Sequence, residues 1–212
     1  MFQPHIVRFE SLPSTNLEAA RQAADGAPEG LCIVSAEQTA GRGRLERHWE
    51  SPKNAGLYFS IVLRPQIDQS RWSILTMMAA VAVHDALTET FAVESDIKWP
   101  NDVLINDKKV CGILAETVET VAGKAVVLGI GINLRKNSLP DELEDLATSV
   151  EGETGHQAVP DDIIAPLLHS LVSSYEVVHA PNGSQLIVKG WSQRSEERRV
   201  GKECRSRWSP YH

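Results

Sequence analysis

Between two apolar, β-branched runs, Leu31 to Val34 and Leu57 to Leu63, the chain carries Gln38-Thr-Ala-Gly-Arg-Gly-Arg-Leu-Glu-Arg-His-Trp49. The flanking runs make this segment a strand-to-strand connection. Arg42, Arg44 and Arg47 are poorly placed to share one helix face. Interleaved with Gly41 and Gly43, they suit a mobile loop whose backbone N–H groups and guanidinium forks close over an anion. The alternative is a basic loop that is simply solvated. An arginine-dense loop in an acidic chain favours a specific partner, with phosphate or carboxylate the natural choice.

The acidity matters to that argument. The chain has 21 Lys and Arg against 28 Asp and Glu, a net charge of -7. Its end, Arg194 to His212, lacks apolar periodicity and resembles, residue for residue, the in-frame translation of a common sequencing-library adapter. On that reading the natural sequence runs out near Gln193, and Cys204, Trp208 and the tail arginines carry no function. Without the tail, 15 basic residues face 25 acidic ones, a net charge of -10. Such a balance argues against nucleic acid as the main partner. No stretch is expected to cross a bilayer, and the N-terminus lacks the order of a signal peptide. Cys32, Cys111 and Cys204 are too scattered for a disulfide framework or a zinc site, so a reducing cytoplasm is the expected location. At 212 residues and 42% hydrophobic, the chain can bury a sizeable core in one domain, or in one and the start of another.

Along the chain, Ile6 to Phe9 reads as a short strand. Thr15-Asn-Leu-Glu18 has capping-box spacing, with a helix following to about Ala24. Ser14-Thr-Asn16 thus lies at a helix N-terminus, to cap it or to bind a ligand. Arg71 to Phe91 reads as a long helix with Leu75, Met78, Ala79, Ala82 and Ala86 on one face; His84 within it reads as structural. Ile97 to Ile105 is a strand interrupted by Pro100, which exposes Lys98, Asn101 and Asp102. After a turn at Asn106 to Lys109, Val110 to Val118 returns, and the hairpin brings Asp102 near Lys109. The lysine is either catalytic or merely solvated. Ala125 to Asn133 is an apolar strand in which Gly129 and Gly131 mark either a bulge or the close approach of a backbone or flat ligand. Glu142 to Val150 reads as a short helix and Asp161 to Val178 as a longer one. The order predicts an α+β fold, a mixed sheet with helices on one side. The chain has no P-loop, HExxH or GxSxG motif and no plausible cysteine nucleophile, and Gly41 to Glu46 fails the GxGxxG pattern.

Taken in order, five segments resemble the catalytic domain of the biotin–protein ligases, over about residues 5–193. They are Ser14-Thr-Asn16, Gln38 with Gly41-Arg-Gly-Arg44 and Trp49, Lys98-Trp-Pro-Asn-Asp102, Lys109-Val-Cys-Gly-Ile-Leu-Ala-Glu116, and Gly129-Ile-Gly-Ile-Asn133. The resemblance implies a class II aminoacyl-tRNA-synthetase-like fold and a two-step reaction. Biotin and ATP give biotinyl-5′-AMP and pyrophosphate, and biotin then passes to a lysine of a biotin carboxyl carrier protein, as in acetyl-CoA carboxylase. It implies catalytic roles for Lys109, Asp102 and Arg44. Biotin contacts fall to Ser14, Thr15, Asn16, Gln38, Arg42, Gly43, Arg44, Lys109 and Gly112. ATP contacts fall to Arg42, Arg44, Arg47, Trp49, Lys98, Asn101 and Asn133. Magnesium is expected to enter with ATP, held mostly by phosphate oxygens and water, with few protein ligands.

Two departures stand out. The family loop commonly carries glycine where this chain has Glu46, a carboxylate able to pair with Arg44 or Arg47 or to repel the nucleotide. The resemblance also stops where the family continues into a small SH3-like domain, so a truncated, less stable and less active ligase is expected. No winged-helix DNA-binding segment precedes Ser14, which predicts a monofunctional enzyme with no DNA or membrane partner; a homodimer paired through sheet edges stays open. The competing readings are a lipoate or octanoate ligase, and a non-catalytic biotin or biotinyl-AMP-binding fragment.

Overall fold

The computed structural model describes residues 3–195, apart from the side chains of Glu46 and Asp141. Seven strands form one sheet: β1 (His5–Phe9), β2 (Leu31–Ser35), β3 (Gly56–Leu63), β4 (Asp96–Lys98), β5 (Asp102–Ile105), β6 (Lys108–Thr120) and β7 (Gly123–Asn133). The helices are α1 (Thr15–Ala24), α2 (Ile74–Phe91), α3 (Val150–Thr154), α4 (Pro160–His179) and α5 (Gly183–Gln193). In the sheet the order is β1-β2-β3-β7-β6-β5-β4, with β1 and β2 parallel and every other pair antiparallel. This is the mixed sheet that the sequence predicts.

The two faces of the sheet are covered differently. On β7, Val126, Leu128, Ile130 and Ile132 point into the main core with α2 and α4. The alternate residues Ala125 and Val127 face the other way, where they pack with Ala19 and Ala23 of α1. One-sided packing therefore holds for α2, α4 and α5, while the short α1 sits on the opposite face. Beyond Val127, that opposite face of β7 carries only Gly129 and Gly131 before Asn133. It is the bare part of the sheet.

Helix α2 is apolar nearly all round because it lies between the sheet and α4. The expected face of Leu75, Met78, Ala79, Ala82 and Ala86 is fully buried, and so are Val83 and Leu87. By length and composition alone its 18 residues could cross a membrane, contrary to the expectation that no stretch could, but over half of it is buried within the fold.

Three local expectations are corrected, and one helix is added. Ile97 to Ile105 is a hairpin rather than one interrupted strand: residues 99–101 turn between β4 and β5, because Pro100 has no N–H to give a ladder. The Thr15–Glu18 capping box does not form. Ser14 is the N-cap, Thr15 gives its N–H and hydroxyl to Gln38, and Glu18 pairs with Arg21. The short helix at 142–150 is replaced by a single turn at Asp141–Leu143, and α3 begins only at Val150. The intervening backbone runs beside Lys109: Lys109 N–H donates to Leu146 C=O, and Thr148 N–H donates to Lys109 C=O. Finally, α5 forms despite Gly183 and Gly190, seated by buried Ile187 and Trp191. The next two residues, Arg194 and Ser195, lie against the edge strand β4, with Arg194 C=O accepting from Ile97 N–H and its guanidinium on Asp85. Residues 196–212, including Cys204 and Trp208, lie outside the described residues.

His84 is structural in this fold, with its Nδ1 2.8 Å from the Ser95 hydroxyl. Burial, helped by the Arg194 charge, holds its imidazolium below the usual value of 6.5. As pH falls the unfolded chain takes the proton first, so this contribution to stability is complete above about 6.5 and fades towards the folded value. His84→Gln should therefore flatten the loss of unfolding free energy between about pH 7 and about pH 5. Urea titrations check this, and equal acid slopes for the two proteins would refute it.

Candidate functional site

The bare glycine face of β7 floors a cavity of about 300 Å³. Gly129 lies directly under Asn16, where any Cβ would collide with the amide oxygen. Two residues on, Gly131 lies under Trp49, and an added Cβ would stand 2.5 Å from its Nε1. Neighbouring Gly112 on β6 is covered by Trp49 and by the stem of Lys109. The Asn16 and Trp49 positions are thus one side-chain repeat apart along the strand, roughly 7 Å.

The end near Asn16 is neutral. Ser14, Thr15 and Asn16 are all buried at the start of α1. Gln38 Oε1 accepts from Thr15 N–H at 2.8 Å, and Gln38 Nε2 donates to Ser51 Oγ at 2.8 Å. The Ser60 hydroxyl on β3, fully buried, lies 2.8 Å from Thr15 Oγ1 and 2.6 Å from Asn16 Oδ1. Leu114, opposite Gly129 on β6, supplies apolar wall.

The other end is cationic. Residues 41–49 form a small hairpin: Trp49 N–H donates to Gly41 C=O at 3.0 Å, and Gly43 N–H to Arg47 C=O at 2.7 Å. Its tip, Leu45, has φ 54° and is 84% exposed. Two side chains pin the hairpin over the cavity. Arg42 pairs with Glu116 at 2.6 Å, and Arg44 donates to Asn101 Oδ1 at 3.2 Å. Lys109 Nζ lies 2.8 Å from Asp102 Oδ1 and 5.2 Å from the Trp49 ring centre. The indole N–H of Trp49 is buried with no acceptor among the described residues, so it is a donor open to a ligand. Arg42, Arg44, Arg47 and Lys109 against one lining carboxylate, Asp102, make this end an anion site.

Of the residues singled out in sequence, Ser14, Thr15, Asn16, Gln38, Arg42, Gly43, Arg44, Arg47, Trp49, Asn101, Asp102, Lys109 and Gly112 all line this one cavity. Lys98 and Asn133 do not. Lys98 is exposed on the short edge strand β4, and Asn133 is buried with its amide donating to Thr148 C=O at 3.1 Å. Asn101 is also partly committed, its Nδ2 donating to Ile113 C=O at 3.0 Å. The side chain of Glu46, whose pairing with Arg44 or Arg47 was in question, lies outside the described residues. Ser60, Ser51 and Glu116 emerge only from the fold; Glu116 closes the Lys109–Glu116 motif, but its partners lie far away in the chain. Burial pushes the Cys32 thiol up to about 12 and raises that of Cys111 as well, which suits inert core cysteines.

The sequence profile of the Biotin/lipoate A/B protein ligase family matches residues 7–133. The chain belongs to this family. It is 42% identical over 167 residues to the bifunctional ligase/repressor BirA of Bacillus subtilis, covering 77% of this chain and 51% of that protein. It is 42% identical over 163 residues to the biotin–[acetyl-CoA-carboxylase] ligase of Paracoccus denitrificans, covering 72% of this chain and 67% of the relative. The chain thus spans about half the length of the Bacillus relative. Among solved family structures, the Aquifex aeolicus biotin protein ligase in complex with biotin and ATP superposes with a TM-score of 0.74 at 29% identity, over 84% of this chain and 72% of that one. The Leishmania major biotin protein ligase in complex with biotinyl-5-AMP does so with a TM-score of 0.77 at 25% identity, over 93% and 83%. The fold is that of the biotin and lipoate ligases.

The glycine floor is testable without any ligand. Gly129→Ala forces Asn16 off β7, and overpacking of this kind costs about 1–3 kcal/mol. Urea denaturation should show that loss, whereas a stability equal to wild type would mean that Asn16 is not seated on the strand.

Proposed function

We propose that this chain is an ATP-dependent biotin–protein ligase. The observation that carries the reading is the two-part cavity, with neutral donors and acceptors at one end and four cations at the other. Biotin divides the same way, into a neutral ureido head and a carboxylate. A urea needs neutral partners, which Ser14, Thr15, Asn16 and Gln38 provide. The family membership, the names of the relatives and the ligands of the solved neighbours support the same reading.

In the first step a biotin carboxylate oxygen attacks the α-phosphorus of ATP. The bond to the β-phosphate oxygen breaks, and pyrophosphate leaves. Two anions must meet, so a fixed cation beside both lowers the barrier. Lys109 fills this role, its backbone held by residues 146–148 and its ammonium by Asp102 and the Trp49 face. Arg42, Arg44 and Arg47 close the anion end and keep water from the mixed anhydride. Trp49 offers a flat wall and an unused N–H on the nucleotide side. In this reading that side rests on Arg44, Arg47, Trp49 and Asn101, without Lys98 or Asn133. In the second step the carrier lysine amine attacks the acyl carbon and AMP leaves; Asp102 receives the amine proton. The lining is rich in cations, with its one carboxylate already paired, which suits phosphate better than a bare divalent ion. Magnesium accordingly enters as the ATP complex. The acceptor is a lysine of a biotin carboxyl carrier protein.

Biotin-dependent ATP–pyrophosphate exchange tests the reading. Wild type should exchange with biotin and not with lipoate, and Lys109→Ala should lower the rate by about 100-fold or more, the usual cost of a lost transition-state charge partner. Exchange driven by lipoate would overturn the substrate assignment, and exchange unaffected by Lys109→Ala would overturn the residue assignment. Asp102→Asn should slow transfer to the carrier more than it slows exchange, and an equal loss in both steps would argue against its role as proton acceptor.

A further inference from the structure

Glu116 does not line the cavity, yet its carboxylate joins two parts of the site. One oxygen accepts from Asn16 Nδ2 at 2.8 Å, and the other accepts from Arg42 Nη2 at 2.6 Å. The first contact, with Leu114 C=O at 3.3 Å from the same nitrogen, sets which way round the Asn16 amide sits. An ionised carboxylate only accepts, so it draws the NH₂ group towards β6 and leaves Oδ1 facing the Ser60 hydroxyl, 2.6 Å away. The second contact holds the hairpin. Arg42 stands at its base, and Arg44, Arg47 and Trp49 follow within seven residues. The Ser51 hydroxyl also joins the two parts, accepting from Gln38 Nε2 at 2.8 Å and donating to Trp49 C=O at 3.1 Å, but among the described residues only Glu116 accepts from both Asn16 and an arginine of the hairpin.

We propose that Glu116 is a positioning residue, a latch that ties closure of the arginine hairpin to the orientation of Asn16. The identity of the ligand rests on the biotin–protein ligase reading; the latch itself does not. A ligand bonded to Asn16 fixes the amide, and the amide fixes the carboxylate in the place that receives Arg42. Replacing Glu116 with glutamine leaves one acceptor and one donor where two donors must be met, so either Asn16 keeps only Leu114 C=O or Arg42 loses its carboxylate. The ion pair is partly exposed, 43% at Arg42 and 30% at Glu116. A pair of this kind adds little to global stability. Its loss should open the hairpin without unfolding the protein.

Limited trypsin digestion of the full chain reads this directly, because Arg44 and Arg47 lie in the hairpin. Glu116→Gln should be cut there about tenfold faster than wild type, with a melting temperature close to wild type, since cleavage follows the population of the open form. Arg42→Gln breaks the same pair from the other side and should give the same local cleavage. The double variant should be cut no faster than either single one, as expected for two residues acting through one contact. Biotin should slow cleavage of wild type and protect Glu116→Gln much less. Hairpin cleavage at the wild-type rate in both single variants would overturn the proposal, as would additive effects in the double variant. Equal protection by biotin of wild type and Glu116→Gln would overturn the link to Asn16. Faster cleavage in both variants with no effect of biotin on wild type would support the latch and count instead against biotin as the ligand.

Discussion

Strand β7 meets two opposite demands, and the rest of the structure follows from how it does so. One face must be large and apolar to hold α2 and α4, and Val126, Leu128, Ile130 and Ile132 fill it. The other must be bare, because Asn16 and Trp49 lie on its backbone at Gly129 and Gly131. A strand alternates its side chains, so both walls are written into nine consecutive residues, Ala125 to Asn133. Side chains at 129 and 131 would fill the cavity from below. Removing the apolar residues between them would detach the helices that keep the sheet rigid.

Rigidity there is what allows an exposed hairpin to do precise work above it. The Lys109 ammonium is placed by its β6 backbone, which residues 146–148 bridge, and by Asp102 across the β5–β6 hairpin. The arginine hairpin has no such frame. It is held by its own backbone hydrogen bonds, by the Ser51 hydroxyl on Trp49 C=O and by two arginine contacts, to Glu116 and to Asn101. Fixed cation and movable cover is a sensible division for the proposed adenylate chemistry. In the proposed reaction, the charge needed at the reacting atoms is preorganised, while the part that would open to admit substrate and carrier is held by contacts that can be released.

Much of this is legible in the residues, and the exceptions have physical causes. Strand and helix positions follow apolar periodicity, and the Asp102–Lys109 meeting follows from a tight hairpin, because both are local. The α5 helix escapes such reading, since Gly183 and Gly190 weaken its local preference and tertiary burial of Ile187 and Trp191 holds it. The Thr15–Glu18 box is a local signal overruled by a distant residue: Gln38 takes the Thr15 hydroxyl. Lys98 and Asn133 belong to motifs whose neighbours reach the cavity, but sequence proximity does not fix where a side chain goes. One sits on an edge strand, and the other bonds the backbone beside β6. The role of Glu116 is hidden for the same reason, as its partners lie 74 and 100 residues away.

The proposed function requires the cavity to make and keep an adenylate at the meeting point of Lys109 and the arginine hairpin. Native mass spectrometry of the protein after incubation with biotin and magnesium ATP, with no carrier present, addresses it most directly. Wild type should form a non-covalent complex heavier than the free chain by the mass of one biotinyl-adenylate, and Lys109→Ala should not. A complex with biotin alone in wild type, or an adenylate complex that survives Lys109→Ala unchanged, would contradict it.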